Sequence, residues 1–229
     1  MPSEPALWYY GDLHFLTYIQ EFIVEIQAFV TTPFSENCYV IKDGQEALVI
    51  DPGEATPELL QALEGYTVKT LVNTHAHIDH VGGNAKIIAH TGCELICHAE
   101  CVPMLENVAI QGQMFGMTVE NSPPPDRLLD EGDTVTVGSV TLKVVNCPGH
   151  APGHIALVGD GFIIGGDVLF QGSIGRTDLP GGSLDVLMAS IRDAFLTLPD
   201  ETIVHSGHGP DTTIGAERQS NPFILSHLS

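Results

Sequence analysis

Seven residues, Thr74-His75-Ala76-His77-Ile78-Asp79-His80, hold three imidazoles and a carboxylate directly after the apolar run Thr70-Leu71-Val72-Asn73. Neutral imidazole and ionised carboxylate are the usual ligands of borderline metals such as zinc. Residues two apart on an extended segment point the same way, so His75 and His77 can close on one ion. Asp79 and His80 fall just past them, where the chain is expected to turn, and could face a second ion beside the first. A polar loop whose histidines merely cap a helix would need neither this density nor this mixture of ligand types. A metal pair acidifies water and polarises a carbonyl oxygen, which is the chemistry of hydrolysis.

The pattern His-x-His-x-Asp-His resembles the signature of the metallo-β-lactamase-fold hydrolases, and three further segments of that family follow in order. Pro148-Gly149-His150-Ala151-Pro152-Gly153-His154 is similar to the loop that gives a third histidine. Gly165-Gly166-Asp167 resembles the segment of the metal-bridging aspartate, and Ser206-Gly207-His208-Gly209-Pro210 the one with the last histidine. Gly175-Arg176-Thr177-Asp178 and Glu217-Arg218-Gln219-Ser220-Asn221-Pro222-Phe223 look most like small proteins related to glyoxalase II.

The resemblance implies an αββα sandwich of the α/β class with two divalent metal ions at one edge. His75, His77 and His150 would hold one ion and Asp79, His80 and His208 the other, with Asp167 between them. Zinc is the first candidate, and iron or manganese suits the same donor set. Asp79 would also orient the attacking hydroxide, as a catalytic residue. Arg176 is expected either to bind substrate or to pair with Asp178, since arginine suits both kinds of carboxylate. Asp51 would support the metal loop from behind, and His154 would brace its own loop. His14, His90, His98, His205 and His227 have no motif support and are read as structural.

The activity implied is hydrolysis of an acyl thioester, such as an S-acylglutathione or a similar small compound, through a hydroxide held between the metals. An aspartate at 167, with no cysteine near it or His208, points away from the zinc β-lactamases and toward esterase, thioesterase or lactonase chemistry. The alternative is a mononuclear iron persulfide dioxygenase, which shares the fold and would use only the equivalents of His75, His150 and Asp167. Because the chain ends at Ser229, the extra C-terminal helical domain with which glyoxalase II grips glutathione is not expected.

These residues need rigid supports. Phe22 to Val30 and Cys38 to Ile41 read as a first hairpin, and Ala47-Leu48-Val49-Ile50 as a buried strand ending at Asp51. Thr56-Pro57-Glu58 opens a helix that Gly65 ends, and Val68 to Val72 is the strand entering the histidine loop. Gly82-Gly83 permits close backbone approach, with Asn84 as the expected cap of the next helix, and Glu94 to His98 reads as a strand entering another. Residues 103–126 show no period and are long for a connection, a segment that could wall a substrate or pack on itself. Two alternating strands joined at Gly138-Ser139, then Ile155 to Val158, Phe162 to Ile164 and Thr202 to Val204, lead to the remaining ligands. Ser183 caps a packing helix that runs through Leu198.

Composition narrows the remaining choices. The 229 residues, 43% of them hydrophobic, have no low-complexity break and are read as one domain over 21–229 behind an extension at 1–20 of unassigned role. Twenty-nine acidic residues against eight basic ones give a net charge of −21, which repels phosphate backbones and argues against nucleic acid as a partner. A small acyl compound is the expected partner, and no oligomeric state can be assigned. No apolar run is long enough for a membrane span, and the start of the chain lacks a signal-peptide pattern. With five cysteines, an odd number, reduced thiols and a cytoplasmic location are expected.

Overall fold

The computed structural model describes residues 24–227, so the segment 1–20 lies outside the described residues. Two six-stranded sheets face each other. The first holds, in spatial order, β1 (Glu25–Thr31), β2 (Glu36–Asp43), β3 (Glu46–Ile50), β4 (Thr67–Val72), β5 (Glu94–His98) and β6 (Arg127–Leu129). The chain then forms β7 (Thr134–Val137), β8 (Val140–Asn146), β9 (Ile155–Val158) and β10 (Phe162–Gly166). A ribbon of β11 (Leu169–Phe170) and β12 (Ser173–Ile174) precedes β13 (Ile203–Ser206) and β14 (Thr212–Thr213). The second sheet runs β14-β13-β10-β9-β8-β7.

Period-two alternation sorts the side chains into three layers. Tyr39, Ile41, Leu48 and Ile50 point between the sheets, against Leu142, Val144, Leu157 and Ile164. Their neighbours Val40, Val49, Leu71 and Leu95 point the other way. They pack under α1 (Pro57–Leu63), α2 (Ile78–Val81) and α3 (Asn84–Thr91), and under α4 (Val102–Leu105) and α5 (Val108–Met114). On the outer face of the second sheet, Ala156, Ile163 and Val204 are covered by α6 (Leu184–Ser190), α7 (Ile214–Ser220) and α8 (Pro222–His227). This is the expected αββα order. Strands such as β3, buried from Ala47 to Ile50, read as continuous apolar runs because both their faces are covered. Each fully buried Leu or Ile contributes about 1.5–3 kcal/mol, so these layers dominate over the exposed ion pairs in holding the sheets.

Three local expectations change. Gly83, not Asn84, is the N-cap of α3; the Asn84 side chain is buried and bonds instead to Asn73 and Ser122. Residues 103–126 are helical in their first half, within α4 and α5, whose buried positions Leu105, Val108 and Gly112 are too few to show a period in the sequence. The helix capped by Ser183 widens into a π-turn over Ile191–Phe195, which still buries Ile191 and Phe195. All five cysteines are free and buried, and no helix among the described residues is long and apolar enough to cross a membrane.

Strand direction decides where the site lies. β3 and β4 are parallel with Ile50 opposite Val72, so Asp51 and the histidine loop leave the sheet side by side. β10 and β13 are parallel with Gly166 opposite Ser206, and therefore deliver Asp167 and His208 together. Bonds between the sheets lock this edge. The Ile155 amide donates to the Thr74 carbonyl at 2.8 Å, and the Tyr39 hydroxyl to the Ser206 carbonyl at 2.7 Å.

Candidate metal centre

At that edge, five imidazoles and two carboxylates converge. His75, His77 and His150 form one group, and Asp79, His80 and His208 another, each with its ligand atoms within 4.8 Å of one another. Asp167 stands between them. Its Oδ1 lies 3.4 Å from His80 Nε2, and its Oδ2 lies 3.5 Å from His150 Nε2 and 3.6 Å from His208 Nε2.

Acceptors behind the imidazoles determine which nitrogen faces inward. His75 Nδ1 is 3.1 Å from Thr74 Oγ1, His80 Nδ1 3.2 Å from Asp51 Oδ2, His150 Nδ1 2.8 Å from the Arg176 carbonyl and His208 Nδ1 3.1 Å from the Phe34 carbonyl. With each Nδ1–H donating outward, all four rings present an Nε2 lone pair to the basin. His77 presents Nδ1 instead, 2.8 Å from His150 Nε2.

Asp51 is the hub of this outer layer. Its Oδ1 accepts the Thr74 amide at 2.7 Å, and its Oδ2 accepts the Thr74 hydroxyl at 2.5 Å. The geometric grouping of Asp51 with His75 and His80 does not make Asp51 a ligand, since both its oxygens already serve Thr74 and His80. Its backbone has φ of 51°, left-handed for a residue other than glycine, a strain that aspartate tolerates better than most.

The donor set fits metal. His75 Nε2 is buried with no hydrogen-bond partner, and the buried His80 Nε2 and Asp167 Oδ1 face only each other, at 3.4 Å. An unpaired buried polar atom costs about 1–3 kcal/mol, and a cation taking the place of the His80 proton would serve all three atoms at once. A Cβ on Gly207 would sit 2.2 Å from Asp167 Oδ1 and 2.9 Å from His80 Cε1, so the backbone approaches the basin as closely as a residue without a side chain allows.

Charge is divided within the basin. Burial first, and the neighbouring imidazoles second, hold His75 well below the ordinary histidine pKa, and the same causes bring His77 down to about 4. For His80, burial opposes the charged form, but Asp167 and Asp51 outweigh it and raise the pKa. Burial works against the anionic forms of Asp79 and Asp167 too, yet the facing histidines hold both carboxyls below their usual range. Asp79 and Asp167 are thus anions at neutral pH and His75 and His77 lone-pair donors, the protonation states that ligands require. His80 and His208, where burial is outweighed by the facing carboxylates and the pKa is raised, would exchange a proton for metal.

Every residue expected at the metals is brought to this one edge. Arg176 reaches it only through its backbone, and both arms of its guanidinium go to Asp178 at 2.7 Å, the second of the two roles open to it. His154 stacks on His75, with ring centroids 4.7 Å apart, and its Nε2 accepts the Asp167 amide at 3.0 Å, so it braces the aspartate. His205 turns away toward Asp211 at 2.9 Å. Glu36 was missed by the sequence reading. It is fully buried, accepts from Thr31 Oγ1 at 2.5 Å and sets Oε1 3.8 Å from His80 Nδ1, and burial pushes its carboxyl pKa well up. A charged residue shortly before the apolar run Cys38–Ile41 was the available signal.

The chain is similar to known proteins over most of its length. Residues 31–208 match the family model described as Metallo-beta-lactamase superfamily. The chain is 39% identical over 210 residues to the hydroxyacylglutathione hydrolase GloC of Haemophilus influenzae, covering 89% of this chain and 99% of that one. Among solved structures, the BLEG-1 B3 metallo-beta-lactamase superposes with a TM-score of 0.82 at 37% identity, over 87% of this chain and 99% of the other. The di-iron-bound form of TTHA1623 superposes with a TM-score of 0.78 at 38% identity, over 86% and 99%.

Proposed function

The chain belongs to the metallo-beta-lactamase superfamily, being a hydrolase of that fold, and from this we propose that its edge basin is a dinuclear centre that hydrolyses an acyl thioester, S-acylglutathione or a similar small compound. One observation carries the reading: Asp167 faces His80 with one oxygen and both His150 and His208 with the other, so it stands between the two ligand groups, where a carboxylate would serve two ions. His75, His77 and His150 would hold one divalent ion and Asp79, His80 and His208 the other. Zinc is the first choice, with iron or manganese also suited to a nitrogen and oxygen donor set. Bound there, the ions would acidify a water molecule and polarise the acyl carbonyl.

The chain's own residues supply position and proton handling. Asp79 Oδ2, 3.3 Å from His208 Nε2, belongs to a side chain 17% exposed and is the ionised carboxylate nearest the open side, placed to orient water and take its proton. The Phe34 and Arg176 carbonyls hold His208 and His150 from behind, so neither ring has to reorganise during reaction. A thioester suits this equipment. A thiol of pKa about 8.5 departs as thiolate near neutral pH without a general acid. Five unpaired cysteines favour a reducing, cytoplasmic setting for such a substrate.

The test is metal content and turnover together. Reconstituted protein should bind about two ions per chain and hydrolyse thioesters. His80→Ala or His208→Ala should cost about a hundredfold in kcat/KM and drop the content toward one ion. Near-native turnover in either variant with one iron bound, together with oxygen uptake on glutathione persulfide, replaces the hydrolase with a dioxygenase. Less than about one ion per chain after reconstitution, with no thioester, ester or lactone cleaved, removes the reading altogether.

A further inference from the structure

On the side of His208, the rim of the basin is aromatic. Phe34 and Phe115 are 42% and 52% exposed, and their rings meet edge to face with centroids 5.9 Å apart. Phe34 comes from the β1–β2 turn, and Phe115 directly follows α5. Phe34 is fastened to the basin, since its carbonyl accepts from His208 Nδ1 at 3.1 Å. Phe170 stands edge-on to the His208 ring at 6.2 Å. Single exposed apolar residues are common, but here an exposed pair, Phe34 and Phe115, adjoins through the Phe34 backbone the imidazole against which Phe170 stands.

The turn that presents Phe34 is strained. Thr32 and Ser35, on either side of it, have φ of 56° and 58°, a conformation costly for residues other than glycine and worst for a β-branched threonine. The Phe34 amide donates to Thr32 Oγ1 at 3.2 Å, and the Ser35 amide to the Thr32 carbonyl at 3.2 Å. Strain maintained at the mouth of a site suggests a task for the residue it holds out.

Cations are lacking at the same rim. All eight lysines and arginines fall among the described residues. Six face carboxylates: Lys42 with Glu25, Lys69 with Glu46, Arg127 with Glu94, Arg176 with Asp178, Arg192 with Asp193 and Arg218 with Asp200. Lys143 lines a groove between β8 and α6, on the outer face of the second sheet. Lys86 lies two residues beyond the buried Asn84 on α3, about 200° round the helix and so on its outer side. A glutathionyl group carries two carboxylates at neutral pH, and the one cation whose backbone reaches the basin, Arg176, already faces Asp178.

We propose that the site selects uncharged acyl thioesters with a phenyl or similar apolar group, which seats against Phe34, Phe115 and Phe170, and that the peptide part of glutathione is not recognised. The inference rests on the hydrolase reading and specifies its substrate class. Thioester and water give carboxylate, thiol and a proton: water oxygen forms the new C–O bond, and the C–S bond breaks with its electron pair on sulfur.

Three measurements decide it. First, kcat/KM is compared for S-acetyl benzyl mercaptan and S-acetylglutathione, which share an acyl group. The neutral aromatic thioester should be preferred about tenfold or more, and Phe115→Ala, at an exposed position, should remove about tenfold of its kcat/KM through KM while leaving the glutathione ester within about twofold. Second, added salt should raise kcat/KM for the glutathione ester, by screening the chain's net charge of −21, and leave the neutral ester level. Third, metal-free protein titrated calorimetrically should bind S-benzyl-N-acetylcysteamine, which cannot be hydrolysed, in preference to S-methylglutathione. A glutathione preference that weakens with salt, or a Phe115 variant with no selective effect, overturns the proposal and leaves the hydrolase standing. If no thioester, ester or lactone is cleaved, the hydrolase reading fails, and the calorimetric preference alone still decides the apolar subsite.

Discussion

The Asp51 carboxylate reaches from the end of β3 to the His80 ring, with Oδ2 3.2 Å from Nδ1, while its Oδ1 takes the Thr74 amide at 2.7 Å. One buried group thereby sets both the path of the histidine loop and the tautomer of a ligand. Asp51→Asn keeps the shape but puts an amine where one of those donors points. It should weaken binding of one metal ion by about 10- to 100-fold, the usual cost of losing a ligand's outer partner. Competition against a chelator measures this; unchanged affinity would show that Asp51 is not needed to orient His80.

Gly207 is sensitive for another reason. A methyl group there would lie 2.2 Å from Asp167 Oδ1. Gly207→Ala should therefore displace the shared carboxylate, lowering metal content and reducing thioester kcat/KM about a hundredfold or more, as for loss of a metal's electrostatic stabilisation. Circular dichroism should show the fold retained. Normal metal content in this variant would contradict the tight approach of β13 to the basin.

Removing metal should lower the melting temperature. The buried His75 Nε2, His80 Nε2 and Asp167 Oδ1 give a cation something to stabilise in the folded state alone. At a free metal concentration a thousandfold above Kd, linkage adds about 4 kcal/mol, or about 10 °C for a chain of this size. Scanning calorimetry with and without chelator tests it, and equal transitions would mean that the basin is not the binding site.

Acid should act on the metal-free protein in two opposed ways. His77, lowered to about 4 chiefly by burial, contributes stability that is complete above about 6.5 and is lost as pH falls through about 4. His80, raised because Asp167 and Asp51 outweigh burial, contributes stability that is complete below about 6.5 and is lost as pH rises through its folded pKa. Imidazole resonances followed by NMR should show His77 neutral at pH 5.5 while His80 is still protonated there; titration of both near 6.5 would deny the charge division.

Much of this was legible beforehand because ligand chemistry is local in sequence. Asp51, the His75 to His80 cluster, His150, Asp167 and His208 each follow a strand, and parallel strands deliver their ends to one edge. The helix cap at Thr56 was equally readable, since the residue that caps it is also its signal. The misreading of Asn84 has the opposite cause: an asparagine suits a cap by type, but its partners Asn73 and Ser122 become neighbours only through folding.

The sequence by itself determined which chemistry is available, because ligand types and their spacing within a loop are covalent facts. Tertiary structure alone decided how those groups are held. Glu36 lies behind His80, the Phe34 carbonyl turns His208, and Arg176 is spent on Asp178. Phe34 and His208 are 174 residues apart in the chain and meet only because β2 and the segment after β13 come together at one edge. Distances of that kind are set by packing of the two sheets, to which every buried residue contributes and which no single motif encodes.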